Sequence, residues 1–128
     1  MRTLSSTKSV DVMRMMKKLN DPIAEISDIL GISATGRMIL SSLVKTEKEL
    51  SISEITARIK RSERSVRAQL KILTKSELVR RKITIAKNGR LAYRYFAPRI
   101  NELAKSVKKE TLRRLRRLEM HLGEIRGR

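Results

Sequence analysis

The sequence predicts a mainly helical chain with one small β-hairpin, an α+β arrangement closed by a long terminal helix. Three observations predict it. Apolar residues recur at helical spacing in successive segments, most of them opened by a residue suited to capping. One stretch, residues 78–96, alternates apolar and charged side chains on either side of an Asn-Gly pair. Residues 98–128 carry an apolar seam longer than a small domain can bury against itself.

Residues 1–8 are mostly polar. From Ser9, a candidate cap, Val10, Met13, Met16 and Leu19 recur at helical spacing and stop at Asn20-Asp21-Pro22. Asp21 is suited to cap a second helix with Pro22 at its first position, running through Ile23, Ile26 and Leu30 to Gly31. Ser33 caps a third helix whose buried face is Met38, Ile39, Leu40, Leu43 and Val44. Leu50-Ser51-Ile52 is short enough for a minimal strand. Ser53 is the preferred cap of the next helix, which carries Ile55, Ala57 and Ile59; Ser51 with Glu54 forms an alternative capping box. After Lys60-Arg61, Ser62 caps a helix to about Ser76, with Val66, Leu70 and Leu73 on its apolar face.

Leu78 to Ala86 and Leu91 to Phe96 form the hairpin. A two-residue Asn-Gly turn would pair Ile83 with Arg94 and Ile85 with Ala92. A three- or five-residue loop instead aligns Ile83 with Tyr93 and Ile85 with Leu91, a uniform apolar face. That form is expected, with Gly89 at positive φ. Pro98 ends the hairpin, and the last helix runs from about Arg99 to Leu122 or beyond. Along it Ile100, Ala104, Val107, Thr111, Leu115, Leu118, Leu122 and Ile125 recur close to a heptad seam. A helix of about 25 residues spans about 37 Å. It either folds back on its own domain or pairs with a second chain, and pairing is preferred. The expected organisation is a helical extension over 1–30 that contributes to the dimer, a helix-and-hairpin domain over 31–97 and a dimerisation helix over 98–128.

Thirty-one Lys and Arg stand against thirteen Asp and Glu, a formal charge of +18 that calls for a polyanionic partner. Cysteine is absent and His121 is the single histidine, which leaves no thiol chemistry and no Cys/His metal site. No cofactor and no catalytic residue is expected, since no general base stands beside a nucleophile. The N-terminus lacks a signal-peptide core and no apolar run could span a membrane, so the expected place is the cytoplasm, on the chromosome.

Helix, short strand, helix, tight turn, helix and hairpin are the order of a winged helix-turn-helix. Its recognition helix would enter the major groove, N-terminus first. The candidates there are Ser62, Arg64, Ser65, Arg67, Ala68, Gln69, Lys71 and Lys75, with one acid, Glu63, in the first turn. Arginine can take two guanine acceptors, glutamine can pair with adenine, and a methyl can meet thymine. Phosphate contact is the competing role for each cation. On the hairpin, Arg80, Lys82, Lys87, Asn88, Arg90 and Arg94 are the candidates, and residues 78–98 hold no acid, whereas residues 21–54 hold six acids against three bases. The bases of the last helix, among them Lys108, Lys109, Arg113 and Arg116, could reach DNA backbone or pair with acids across a dimer. The same basic amphipathic pattern suits a membrane surface, but no Trp or Phe is there to anchor it.

Four stretches resemble archaeal winged-helix regulators of the MarR and TrmB type, in their small form with a single winged domain and a dimerising helix. They are Ile52-Ser53-Glu54-Ile55-Thr56, Ser62 to Leu70, Leu78-Val79-Arg80-Arg81, and Gly89-Arg90-Leu91-Ala92-Tyr93-Arg94-Tyr95. The resemblance implies a homodimer that regulates transcription, often by repression, on pseudopalindromic duplex DNA. It implies the stretch from Ser62 in the major groove, Arg90 near the minor groove, and terminal helices that pair. The sequence departs at Lys60-Arg61 and at Glu77, where glycine is frequent, and no effector-binding module is expected to follow. A small aromatic effector could lodge between the winged domains and the dimerisation helices, although no polar constellation marks one. Some relatives cover DNA broadly, so a nucleoid-coating protein is the alternative to a sequence-specific regulator.

Overall fold

A computed structural model of the chain describes residues 20–126, with Arg14 and Lys18 before them. Helix α1 occupies residues 20–30, followed by α2 (Ala34–Thr46), α3 (Ile52–Ile59) and α4 (Glu63–Lys75). The hairpin β1 (Arg80–Ile85) and β2 (Leu91–Phe96) precedes α5 (Ile100–Arg126). The expectations for Ser9, Val10, Met13, Met16 and Leu19 lie outside the described residues.

Asp21 does not cap a new helix. Lys18, Asn20, Asp21 and Pro22 are all helical, so the expected break is missing. Proline holds φ near −65°, a helical value, and forfeits one hydrogen bond. Burial of Ile23 and Leu30 against the core anchors the helix beyond it.

Ser33 caps α2 as expected, its hydroxyl accepting from the Gly36 N–H at 3.1 Å. The cap of α3 is Ser51, not Ser53. The Glu54 N–H donates to the Ser51 hydroxyl and the Ser51 N–H donates to the Glu54 carboxylate, both at 3.2 Å. That reciprocal pair satisfies two otherwise unpaired donors, whereas Ser53 lies exposed within the first turn. The expected strand at residues 50–52 shrinks to one bridge, because Ile52 already belongs to the helix. Leu50 exchanges two 2.8 Å backbone hydrogen bonds with Tyr95.

Helices α2, α3 and α4 pack around Ile39, Leu40, Leu43, Ile55, Val66, Leu70 and Leu73, closed by Leu78, Val79, Tyr95 and Leu103. Ala57, expected to face inward, is exposed. Both turns where the resembled regulators often carry glycine adopt the left-handed conformation with other residues in place: Lys60 at φ 54° and Glu77 at φ 61°. Their backbones follow the turns despite their side chains, at about 1 kcal/mol each.

The hairpin has the odd loop. Ile83 pairs with Tyr93 and Ile85 with Leu91, residues 86–90 form the connection, and Gly89 sits at φ 79°. Helix α5 divides into two parts. Leu103, Ser106 and Glu110 bury its first half against the domain, while every residue from 112 to 126 is exposed.

Candidate nucleic-acid interface

Helix α4 begins with a two-serine cap. The Ser62 hydroxyl accepts from the Ser65 N–H at 3.1 Å and donates to the Ser65 hydroxyl at 2.9 Å. Val66, Leu70 and Leu73 pin one face to the core, which turns Arg64, Arg67, Ala68, Lys71 and Lys75 outward and leaves them exposed. Arg67 is held by Glu63, with Nε at 3.0 Å and a terminal nitrogen at 2.7 Å from the same carboxylate oxygen. Both partners are exposed, so the pair is worth at most about 1 kcal/mol and phosphate can displace it.

Gln69 stands apart from that face. It is half-buried, and its Oε1 lies where a Cβ on Gly36 would come within 3.0 Å. Its amide therefore packs against the start of α2. Arg61, exposed in the turn before α4, adds a cation at the helix N-terminus that the periodicity argument passed over. No helical pattern covers that turn, and only the three-dimensional neighbourhood brings it in.

The six hairpin candidates separate into two groups. Arg80 pairs with Glu102 at 3.6 Å, Lys82 with Glu49 at 2.7 Å, and Arg94 with Glu54 at 3.1 Å. Arg94 also donates to the Glu49 carbonyl at 2.8 Å. These three brace the hairpin against α3 and α5. The Glu54 carboxyl is held below the usual carboxylate range, first by the Ser51 hydrogen bonds and then by Arg94. Lys87, Asn88 and Arg90 are exposed at the tip, where the Arg90 N–H donates to Asn88 Oδ1 at 3.0 Å and shapes the loop. Arg81 lies over the Tyr93 ring at 4.2 Å, on the other face.

On α5, the Glu110 carboxylate is buried and accepts from Arg113 at 2.6 and 3.0 Å and from Arg114 at 3.0 Å. Arg113, the stronger influence, and Arg114 hold its carboxyl below the usual range despite burial. Arg114 also donates to the Leu30 carbonyl, tying α5 to the end of α1. Of the seam, Val107 and Thr111 are half-buried, and Leu115, Leu118, Leu122 and Ile125 are exposed. Among the described residues no three His, Asp or Glu side chains gather as a metal site, and no helix is long and apolar enough to cross a membrane.

Three helices, a one-residue bridge and a braced hairpin define the winged helix-turn-helix fold, as found in MarR-family transcription regulators. No family model matches the chain, and no curated protein matches it. Among solved structures, the chain is similar to a possible transcriptional regulator from Methanosarcina mazei, with a TM-score of 0.62 at 18% identity, covering 77% of this chain and 83% of that one. A protein of the thermoacidophilic archaeon Sulfolobus tokodaii is similar at a TM-score of 0.61 and 25% identity, with 82% and 98% covered. A mutant of S. aureus MepR bound to an oligodeoxyribonucleotide is similar at 0.52 and 17% identity, with 91% and 82% covered. The likeness to the first and third of these is one of fold.

Proposed function

We propose that the protein is a transcription regulator of the small archaeal type that binds specific sites on duplex DNA as a homodimer and represses from them. The observation that carries the reading is the placement of charge. The outward face of α4 and the hairpin tip present cations, whereas the acids Glu49, Glu54 and Glu102 are spent on the cations at the base of the hairpin. Helix α4 then lies in the major groove with Arg64, Arg67, Ala68 and Lys71 toward bases and phosphates. Lys87 and Arg90 reach the adjacent minor groove. The MepR mutant with an oligodeoxyribonucleotide shows that a chain of this fold binds DNA.

Dimerisation belongs to the same reading. At 100° per residue, the seam of α5 lies about 100° around the helix from Leu103, Ser106 and Glu110, so one helix can serve its own domain and a partner at once. A two-fold dimer places two copies of α4 about 34–36 Å apart, one turn of DNA. The protein would act in the cytoplasm, on the chromosome.

Footprinting on the DNA upstream of the protein's own coding region, with competitor DNA and a salt titration, tests the proposal. A discrete protected site with two half-sites is expected. Continuous protection without a preferred site would overturn the regulator in favour of a DNA-coating protein.

A further inference from the structure

The hairpin has two chemically different faces. Side chains alternate along each strand, so Arg80, Lys82 and Arg94 share one face with Thr84 and Ala92. That face meets Glu102, Glu49 and Glu54 and is electrically matched. The other face begins at buried Tyr95 and runs outward through Tyr93 and Ile83 to the cross-strand pair Ile85 and Leu91, which are 76% and 75% exposed. Arg81 stacks on Tyr93 along this ladder, and Lys87 and Arg90 stand just beyond it. Among the described residues, none of the ion pairs involves Arg81, Lys87 or Arg90.

We propose that this outer face deforms DNA: Ile85 and Leu91 enter the minor groove and unstack a base step, while Lys87, Arg90 and Arg81 hold the flanking phosphates. The inference rests on the DNA-binding reading and goes beyond it, because contact by the tip cations requires no apolar ladder. Charge chooses the occupant. An apolar protein surface would cover the ladder but bury three uncompensated cations at its rim. The minor groove offers apolar sugar walls between two rows of phosphate. Width adds the deformation. The groove is about 6 Å across, and two strands about 4.8 Å apart with side chains on both faces exceed it. The ribbon enters only if the groove opens, and wedged aliphatic side chains are known to open it by unstacking a step and kinking the duplex by about 20–90°.

The test uses the full chain and a short duplex taken from the footprinted upstream region, with an energy-transfer pair at its ends. The unaltered protein should bind and bring the ends closer. The double variant Ile85→Ser/Leu91→Ser should bind about tenfold more weakly and lose the bend. Its melting temperature should fall only slightly, since both side chains are about three-quarters exposed and lie outside the core. Arg90→Ala should weaken binding and keep the bend. If the double variant binds and bends DNA like the unaltered chain, the inference is overturned. A lowered oligomeric state of that variant, with DNA bending intact, would likewise overturn it and assign the ladder to a second copy. Failure of the unaltered chain to bind DNA at all would overturn the DNA-binding reading, and the inference with it.

Discussion

The dimer is most directly tested by shortening the seam where it leaves the domain. In Leu118→Ala/Leu122→Ala, the altered side chains are 52% and 55% exposed and belong to no intramolecular core. Full burial of a leucine contributes about 1.5–3 kcal/mol, and about half of each side chain is still open to a partner. Each position therefore gains about 1 kcal/mol when a second α5 covers it. Truncation to alanine, which keeps Cβ, removes somewhat less. Across two positions and two chains the loss is about 3 kcal/mol, roughly a hundredfold rise in the dimer dissociation constant. Alanine is at least as good a helix former as leucine, so α5 itself is not weakened.

Sedimentation equilibrium over a concentration series measures the constant, and far-ultraviolet circular dichroism checks the helix. An unchanged dissociation constant with helicity retained would refute the seam as the dimer contact. Cutting the chain before α5 is a poorer experiment. Leu103 lies in the core, so the cut would damage the domain along with the interface.

Three other outcomes follow from individual contacts. Arg94→Ala should lower stability by about 1–2 kcal/mol in urea unfolding, through loss of the Glu49 carbonyl and Glu54 contacts; lost DNA affinity with full stability would return Arg94 to the DNA surface. Gly36→Ala should destabilise by about 1 kcal/mol in the same assay, because its Cβ would meet Ile32 Cγ2 at 2.8 Å and Gln69 Oε1 at 3.0 Å, a strain that exceeds the helix-propensity gain. The folded Glu110 carboxyl titrates below its unfolded value, so its stabilisation is complete above the unfolded value and disappears as pH falls through the folded one. Thermal melts on acidification should show that loss, and Glu110→Gln should be less stable at neutral pH and lose stability less steeply in acid.

Much of this arrangement was legible because it is periodic or local. The odd hairpin loop follows from the two-residue strand repeat, since only that register aligns Ile83, Ile85, Leu91 and Tyr93. Val66, Leu70 and Leu73 follow from the helical repeat. The cap of α3 was harder. Ser51 and Ser53 have equal chemistry, and Glu54 at the third helical position favours Ser51 by closing a reciprocal pair of hydrogen bonds. Pro22 misled because a proline within a helix costs less where tertiary burial holds the following turn. The division of the hairpin cations was invisible locally, since Glu49, Glu54 and Glu102 approach them from α3, its preceding loop and α5. Gln69 sits near the edge of the outward face, and its length lets it fold back toward Gly36, which no local pattern reveals.

That division of cations also explains how a chain of +18 can aim its charge. A uniformly basic surface would attract DNA in any orientation, whereas matched cations at the base of the hairpin both neutralise that region and fix the hairpin against the domain. Two of the places where cations remain unmatched are rigid mounts: the outward face of α4, pinned by Val66, Leu70 and Leu73, and the hairpin tip, shaped by Asn88. Orientation comes from subtraction as much as from addition. The only acid on α4, Glu63, keeps Arg67 extended along the helix through an exposed pair worth at most about 1 kcal/mol. On the proposed DNA-binding reading, a contact that weak would hold the arginine in the free protein and give way to a guanine edge or a phosphate, either of which would return a charge-assisted hydrogen bond of at least equal strength.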